Sequence, residues 1–278
     1  MENNTKINSN FKSKFRTDSD LHHYLFIVMK KLISDFLKDN NRVNDFLNLL
    51  SKDLLLMSFQ EEVTNKFNIA IDFRLINGSS LSVIVDDDIL GEIYNQNVSK
   101  KWKRTQGHYL TPLQITKWMV KQSNIQSISN LDQCTILDPS IGTGRFFISL
   151  FGFLNENKRL AELNIENLIG FDIDPFSIFI SRINLSIQYI LLMNITDYSE
   201  QRKIAIKISN SILNKDFLNP STINLNRYIF SPNSKIPLLD KIYNKISPFE
   251  NGISYIFCNP PYNKIHLTEK QQRLFKKS

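Results

Sequence analysis

The sequence predicts an α/β protein in which a parallel, doubly wound sheet is preceded by a mainly helical region. Three observations predict this fold class. After about residue 100, apolar runs of strand length alternate with longer helical patterns, as in a parallel sheet covered by helices. Before that point, apolar residues recur at helical spacing between Leu21 and Leu54. A turn that holds Gly142 and Gly144 then connects the first apolar run to a helical pattern.

Composition narrows the class of protein. The chain has 278 residues, of which 42% are hydrophobic, which is enough for one large domain or two smaller ones. The net charge of +7 weakly favours a polyanionic partner, although a mildly basic globular protein fits it as well. The two cysteines, Cys134 and Cys258, form no CxxC pair, so we expect no metal site and no disulfide framework.

The sequence also bears on location. The first residues, "MENNTKINSNFKSKF", are polar and lack the apolar core of a signal peptide. The most apolar stretch, 176–195, is interrupted by Arg182, Asn184 and Gln188, which favours a packed helix over a membrane span. We therefore expect a cytoplasmic protein with no membrane partner.

The N-terminal region is predicted to be mainly helical. Apolar spacing between Asp20 and Phe59 predicts helices with a break at "DNNR", 39–42. The stretch 69–85 fits either a helix and a turn or a hairpin. "DDDILGEIYNQNV", 86–98, predicts a short helix with acidic residues at its start, which suits the helix dipole. We assign residues 1–100 to this region and 101–278 to the α/β domain.

Four candidate strands follow in the α/β domain. Helical stretches separate the first three, which indicates crossover connections and therefore parallel pairing. The stretch 218–250 looks like an irregular insertion followed by a short helix. The candidate strands are 134–140, 167–174, 208–217 and 254–260.

The turn after the first candidate strand, "ILDPSIGTGRFF", is typical of a nucleotide-type site. Glycines at a strand-to-helix turn let a ligand approach the backbone, and the following helix presents free N–H groups. Phe147 stands where a dinucleotide fingerprint needs its third glycine, and no GK[ST] is present, so neither a pyrophosphate site nor a P-loop is expected. Asp138 before the glycines suits a ligand with a positive group. The alternative is a tight turn with no ligand.

Acidic residues also end the next two candidate strands. An acid at the end of the second strand, here Asp172, commonly accepts from ribose hydroxyls. The alternative role, a helix N-cap, suits Asp174 before Pro175 better. After the third strand, Asp216 could accept from an exocyclic amine and Phe217 could lie against a purine. For this pair alone, a solvated acid beside a core phenylalanine is the simpler interpretation.

The fourth candidate strand ends in "NPPY", 259–262. Proline cannot donate to a sheet ladder, so the two prolines end the strand and fix the next turn. In a doubly wound sheet all four strand ends line one edge, where ligand and substrate would meet. An isolated "NPP" is more often a rigid turn with a buried tyrosine, but here it follows three other candidate site elements.

The ordered series of motifs resembles the gamma-class N6-adenine DNA methyltransferases of restriction–modification systems, which include type I modification subunits and fused type II enzymes. "LGEIY" and "GHYLTP" precede the cofactor turn, "DPSIGTGRFF" matches DPxxGxGxF, and "NPPY" follows. The resemblance covers roughly residues 87–262. It implies a Rossmann-like, S-adenosylmethionine-dependent methyltransferase fold of which the chain holds the first four strands.

By this resemblance, residues of four motifs would bind S-adenosylmethionine. Tyr109 and Thr111 would hold its methionine end, and the "DPSIGTG" turn would continue that pocket. Asp172 would bind the ribose, and Asp216 and Phe217 the adenine. The implied cofactor-binding residues are Tyr109, Thr111, Asp138, Ser140, Gly142, Gly144, Asp172, Asp216 and Phe217.

The resemblance gives "NPPY" a chemical role. The amine of an aromatic base is a poor nucleophile because its lone pair is delocalised into the ring. The side-chain oxygen of Asn259 and the carbonyl of Pro260 would accept its two N–H groups and aim the lone pair at the methyl group. Pro261 would lock the turn, and Tyr262 would stack on an adenine flipped out of double-stranded DNA.

Some alternatives stay open. The same motif serves enzymes that methylate protein glutamine or rRNA, but the "GHYLTP" turn favours the DNA family. The chain ends soon after "NPPY", without the second half of the sheet or a target-recognition region. It would then be a fragment, a split subunit completed by a complementary chain, or a degenerate remnant. We expect little or no methyltransferase activity from the chain alone; a non-catalytic interaction subunit is the alternative from another class.

Overall fold

The computed structural model describes residues 18–51, 54, 81–98, 103, 109–217 and 253–259. The sequence segments 55–80 and 218–252 lie outside the described residues. The helices are α1 (Asp18–Leu37), α2 (Asn40–Ser51), α3 (Leu81–Asp86), α4 (Ile89–Asn97), α5 (Leu113–Gln122), α6 (Arg145–Glu156), α7 (Pro175–Leu192) and α8 (Tyr198–Ser211). The strands are β1 (Ile136–Asp138), β2 (Leu168–Asp172), β3 (Ile212–Asn214) and β4 (Tyr255–Ile256).

The four strands form one parallel sheet in the order β3-β2-β1-β4. Leu137 of β1 pairs with Ile169 of β2 on one side and with Ile256 of β4 on the other. The chain therefore builds the sheet outward from β1 in both directions. The point where the direction reverses is where ligand crevices form in open α/β sheets. The predicted fold class, a parallel α/β sheet preceded by a helical region, is confirmed.

Helix α7 lies at the centre of the molecule. Its buried residues include Phe179 and Ile183 and cover nearly its whole circumference, because it packs against the sheet on one side and against helices on the others. Among the described residues it is the helix long and apolar enough to cross a membrane, yet 83% of its 18-residue window is buried inside the fold. A core helix passes the same test of length and composition.

Helices α1 and α2 pack against α7 and α8, and their apolar faces belong to the same core cluster as the sheet. The buried side chain of Arg182 on α7 joins the two parts by hydrogen bonds. It donates to the carbonyl of Leu50 at 2.9 Å and to that of Ile212 at 2.9 and 2.6 Å. A break between α1 and α2 is present, but one residue earlier than predicted: α1 ends at Leu37 and α2 begins at Asn40, within the predicted "DNNR".

The third strand is shorter than predicted. The sequence prediction placed a strand over 208–217, but α8 continues through Ser211 and β3 covers only Ile212–Asn214. Gln201, Ala205 and Ile208 are all buried, and their spacing is that of one helix face. The helical period therefore extends through the first residues of the apolar run, which alone would also fit a strand.

The sequence predicted one helix over 86–98 that begins with acidic residues. The structure instead shows two helices here, with the acidic residues at the junction between them. Helix α3 ends at Asp86, and Asp88 adopts a left-handed conformation with φ 48° before α4 begins. Its carboxylate accepts from the Gly91 N–H at 3.1 Å and caps α4. The acid thus serves as an N-cap at a sharp turn between two helices.

Candidate functional site

The turn between β1 and α6 lies at the carboxyl end of the central strand. Asp138 is fully buried, and its Oδ1 accepts from the Ser140 N–H at 3.1 Å. Gly142 and Gly144 have φ values of 54° and 95°, in the left-handed region that favours glycine. The predicted glycine turn therefore has a backbone that bends tightly around the end of β1 before α6 starts at Arg145.

The second carboxylate oxygen of Asp138 has no hydrogen-bond partner, which makes it an orphaned buried acceptor within the described residues. Burial, with a smaller effect from the neighbouring charge of Asp172, raises the pKa of Asp138 to about 8. A carboxyl in this state is protonated at neutral pH. A cationic group beside it would favour the ionised form.

Asp172 lies at the end of β2 and holds two turns together. Its Oδ2 accepts from the Gly142 N–H at 2.9 Å and its Oδ1 from the Asp174 N–H at 2.9 Å. Burial, with a smaller effect from the charge of Asp174, raises the pKa of Asp172 to about 7. Asp174 caps α7 by accepting from the N–H groups of Phe176 and Ser177, so the predicted N-cap is confirmed.

Asn259 lies just beyond β4, at the same edge of the sheet. Its side-chain Nδ2 donates to the hydroxyl of Thr111 at 2.8 Å. Its backbone carbonyl accepts from the Ser140 hydroxyl at 3.3 Å. The structure thus brings together Thr111, Ser140 and Asn259, three residues predicted from separate motifs. Tyr109, also predicted, is 54% exposed next to them.

The end of β3 lies beside that of β2. The N–H of Lys215 donates to the Asp172 carbonyl at 3.0 Å, which places the following residues, Asp216 and Phe217, near the second strand end. The Phe217 ring contacts that of Phe171, with centroids 5.4 Å apart. Both predicted residues are half-buried. Their contact with a purine stays a prediction, and Pro260, Pro261 and Tyr262 lie outside the described residues.

Sequence reasoning missed a buried polar cluster behind the glycine turn. Asp88, fully buried, accepts from the Gly91 N–H, from the Thr143 hydroxyl at 2.5 Å, from Arg145 Nε at 2.7 Å and from Asn184 Nδ2 at 2.7 Å. All of these groups act as donors, which suits an ionised carboxylate. The available sequence signal was an acid three residues before a glycine, an arrangement that also fits an ordinary exposed cap.

The charges of this cluster are coupled. Burial raises the pKa of Asp88, while the charge of Arg145 and its hydrogen bond oppose that effect. Burial alone would raise the pKa of Glu92, but the hydrogen bonds from Arg145 and Gln96, together with the charges of Arg145 and Lys103, outweigh it, and the pKa is lowered. The hydroxyl of Tyr94 donates to Asp174 at 2.9 Å. Helix α4, which carries "LGEIY", therefore contacts the turns after both β1 and β2.

Comparisons with known proteins agree with this architecture. The family model described as N-6 DNA Methylase matches residues 85–277. A cryo-EM structure of a DrdV–DNA complex is similar, with a TM-score of 0.51 and 17% identity over 94% of this chain and 26% of that chain. At that identity the likeness shows the fold, and the chain spans about a quarter of the length of that neighbour. No curated protein matches. Since the family model spans more than half of its residues, the chain belongs to the N-6 DNA methylase family.

Proposed function

We propose that this chain carries the cofactor-binding and amine-activating residues of a site-specific adenine-N6 DNA methyltransferase of a restriction–modification system. One observation supports this most strongly. Asn259 at the end of β4 meets Thr111 and Ser140 at the point where the sheet order reverses, beside the buried acid Asp138 and the half-buried acid Asp172. Methyl transfer requires the donor and the acceptor amine to be held close together, and the crevice at this edge of the sheet is where ligands bind in open α/β folds.

The residues around Asp138 fit the chemistry of S-adenosylmethionine. That cofactor carries a sulfonium and an ammonium group, and two neighbouring carboxyls with raised pKa values, buried Asp138 with an orphaned oxygen and half-buried Asp172, favour a cationic ligand. The glycine turn leaves space as well. A Cβ added at Gly142 would meet a side-chain atom of Leu110 no closer than 3.6 Å. This turn would accept the cofactor without moving its backbone.

We assign the remaining cofactor contacts by the family pattern. Asp172 would accept from the ribose hydroxyls while it keeps its bonds to the Gly142 and Asp174 N–H groups. Asp216 would accept from the adenine amine, and Phe217 would lie against the ring. Tyr109, exposed at the entrance, would cover the methionine end. When bound, the cofactor supplies a methyl group activated by its sulfonium.

Asn259 and the prolines after it would act on the substrate. The Asn259 amide oxygen and the Pro260 carbonyl would accept the two N–H bonds of the adenine amine. This draws the nitrogen lone pair out of the ring and fixes its direction. Tyr262 would stack on the flipped base. No covalent enzyme intermediate is needed, because the side chains only orient and polarise the amine.

DNA is the proposed macromolecular partner, in agreement with the family model and with a neighbour solved as a DNA complex. A complementary polypeptide is proposed as a second partner. Within the described residues, β4 pairs with β1 along one edge, and Ile256 on β4 is 60% exposed. A strand of the partner that pairs with the other edge of β4 and covers Ile256 would complete the sheet beside Asn259.

Isothermal titration calorimetry with S-adenosylmethionine tests the cofactor assignment. The chain should bind it, and Asp172→Asn should weaken binding by about tenfold or more, because the neutral amide is a poorer acceptor for hydroxyl groups. The matched control is Asp132→Asn, an exposed acid just before β1, which should bind as the unmodified chain does. Equal binding by ATP would contradict a methyl-donor site.

A second measurement addresses the reaction. Transfer of a tritiated methyl group to adenine-containing duplex DNA should stay near background for the chain alone, because β4 pairs on one side only among the described strands. Transfer that Asn259→Ala abolishes would show that the chain is a complete catalyst and needs no partner polypeptide. Absence of S-adenosylmethionine binding would instead favour an interaction subunit.

A further inference from the structure

A single buried guanidinium joins three separate segments of the chain. Arg145, the first residue of α6, donates through Nε to Asp88 at 2.7 Å and through Nη2 to Glu92 at 2.8 Å. Its Nη1 donates to the backbone carbonyl of Thr111 at 3.0 Å. Arg145 is 7% exposed and Asp88 is 0% exposed, so this ion pair is shielded from solvent. All three guanidinium nitrogens are thereby engaged.

The guanidinium fixes the loop that holds Thr111. Asp88 is itself immobilised by the Gly91 N–H and by the side chain of Asn184, so it provides a rigid anchor for Arg145. On the other side of Thr111, Pro112 restricts the preceding residue to extended conformations. The Thr111 carbonyl is therefore held by Arg145 while its backbone torsions are limited by the proline. Both restraints hold the Thr111 backbone, from which its hydroxyl projects towards Asn259.

That hydroxyl contacts Asn259. The Nδ2 group of Asn259 donates to Thr111 Oγ1 at 2.8 Å. The NH2 donor and the carbonyl acceptor of an amide lie at the two ends of one planar group, so a partner that fixes the nitrogen also fixes where the oxygen points. If the amide rotated by 180°, a donor would face the substrate amine in place of an acceptor.

We propose that Arg145 is a positioning residue for methyl transfer: through the Thr111 loop it sets the amide orientation of Asn259. The inference rests on the proposed role of Asn259 as acceptor for the target amine. It assigns a function to "LGEIY" as well, because the preceding Asp88 and the Glu92 within it anchor the guanidinium. Arginine suits the task, since its planar fork serves three acceptors at fixed angles, which lysine cannot do.

The side-chain amide signal of Asn259 tests this without requiring catalysis. In the full chain labelled with ¹⁵N-asparagine, the signal is assigned by its loss in Asn259→Ala. Thr111→Val should remove the hydrogen bond, shift the signal and speed amide hydrogen exchange by up to about tenfold. Arg145→Lys, with Thr111 intact, should move the signal in the same direction. Thr111→Ser keeps the hydroxyl and should restore it.

Arg159→Lys is the matched control. Arg159 lies just beyond the other end of α6 and likewise bridges a carboxylate, Glu162, to two backbone carbonyls, those of Gln126 and Ile128. Among the described residues it contacts neither Thr111 nor Asn259, so it should leave the amide signal unchanged. A signal that responds equally to both substitutions would indicate a general effect of destabilisation and would overturn the proposal.

Glu92→Gln provides a second route if Arg145→Lys does not fold. It removes the charge at one anchor of Arg145, at a half-buried site, and should shift the Asn259 signal the same way by a smaller amount. An unchanged signal in both Arg145→Lys and Glu92→Gln, with a shift in Thr111→Val, would refute the role of Arg145. These readouts are independent of cofactor binding, so failure of the proposed function appears separately in the calorimetry.

Discussion

At the scale of single residues, Asp138 shows how a residue of the candidate site can lower the stability of the folded chain. A buried carboxyl with an orphaned oxygen is costly to ionise, and burial raises its pKa to about 8. The folded state therefore holds this proton more tightly than the unfolded chain, whose aspartates ionise near pH 4. The contribution of this group to the unfolding free energy is complete below about pH 4 and decreases as pH rises towards 8.

Asp138→Asn should remove this pH dependence. The amide oxygen can keep the bond from the Ser140 N–H, and no charge has to be buried. The unfolding free energy of the variant should exceed that of the unmodified chain by about 1.5 kcal/mol at pH 5 and by about 5 kcal/mol at pH 8. Urea unfolding across that range checks it. Asp132→Asn, at an exposed site, should parallel the unmodified chain at every pH; a parallel curve for Asp138→Asn would contradict the expectation.

Sequence could identify the residues at the strand ends but not their contacts. Asp138, Asp172 and Asn259 follow apolar runs, and parallel strands bring their ends to one edge, so their proximity was predictable. The contact between Asn259 and Thr111 was not, because it depends on how two loops 148 residues apart pack. The role of Asp88 was missed for the same reason, since its partners come from α6 and α7.

At the scale of elements, α4 is the best example of a short helix specified by tertiary contacts. It spans Ile89–Asn97, too short to be stable by itself, and is held by the Asp88 cluster and by Tyr94. Its Gly91 allows this close approach. A Cβ there would lie 2.3 and 2.4 Å from the carboxylate oxygens of Asp88 and 2.5 Å from the Thr143 hydroxyl.

Gly91→Ala should therefore displace the Asp88 carboxylate and cost about 2–4 kcal/mol of unfolding free energy. Gly152→Ala in α6 is the matched control, since a Cβ there meets nothing within 4 Å. Because alanine is the better helix former, Gly152→Ala should be neutral or stabilising by up to about 1 kcal/mol. Denaturant unfolding of the pair measures both. Equal changes in unfolding free energy for the two variants would mean that the Asp88 carboxylate can shift to accommodate a Cβ at Gly91 without a cost in stability.

Element bounds were predictable where a local signal marks them. Asp174 followed by Pro175 marked the start of α7, and the structure agrees. The boundary between α8 and β3 has no such signal. An apolar run there continues both the helical period and the strand pattern, and packing of Ile212 in the sheet decides the boundary at Ser211.

At the scale of the whole molecule, the N-terminal helices and the sheet share one core. Arg182 is the polar part of that shared core: it is fully buried and donates to carbonyls at the end of α2 and the start of β3. Sequence could not predict this, because an arginine in an apolar helix fits a surface position as well. Whether residues 1–100 form a separate domain therefore depends on whether they unfold together with the sheet or independently of it.

We expect α1, α2 and the sheet to unfold as one cooperative unit. Arg182→Met would leave the carbonyls of Leu50 and Ile212 without this donor and should cost about 2–4 kcal/mol. Hydrogen exchange measured by mass spectrometry should show amides of α2 and β3 losing protection together. Arg202→Met is the matched control at the same interface: its exposed pair with Asp45 at 3.1 Å should contribute less than about 1 kcal/mol. Loss of protection confined to α1 and α2 in Arg182→Met would instead establish an independent N-terminal domain.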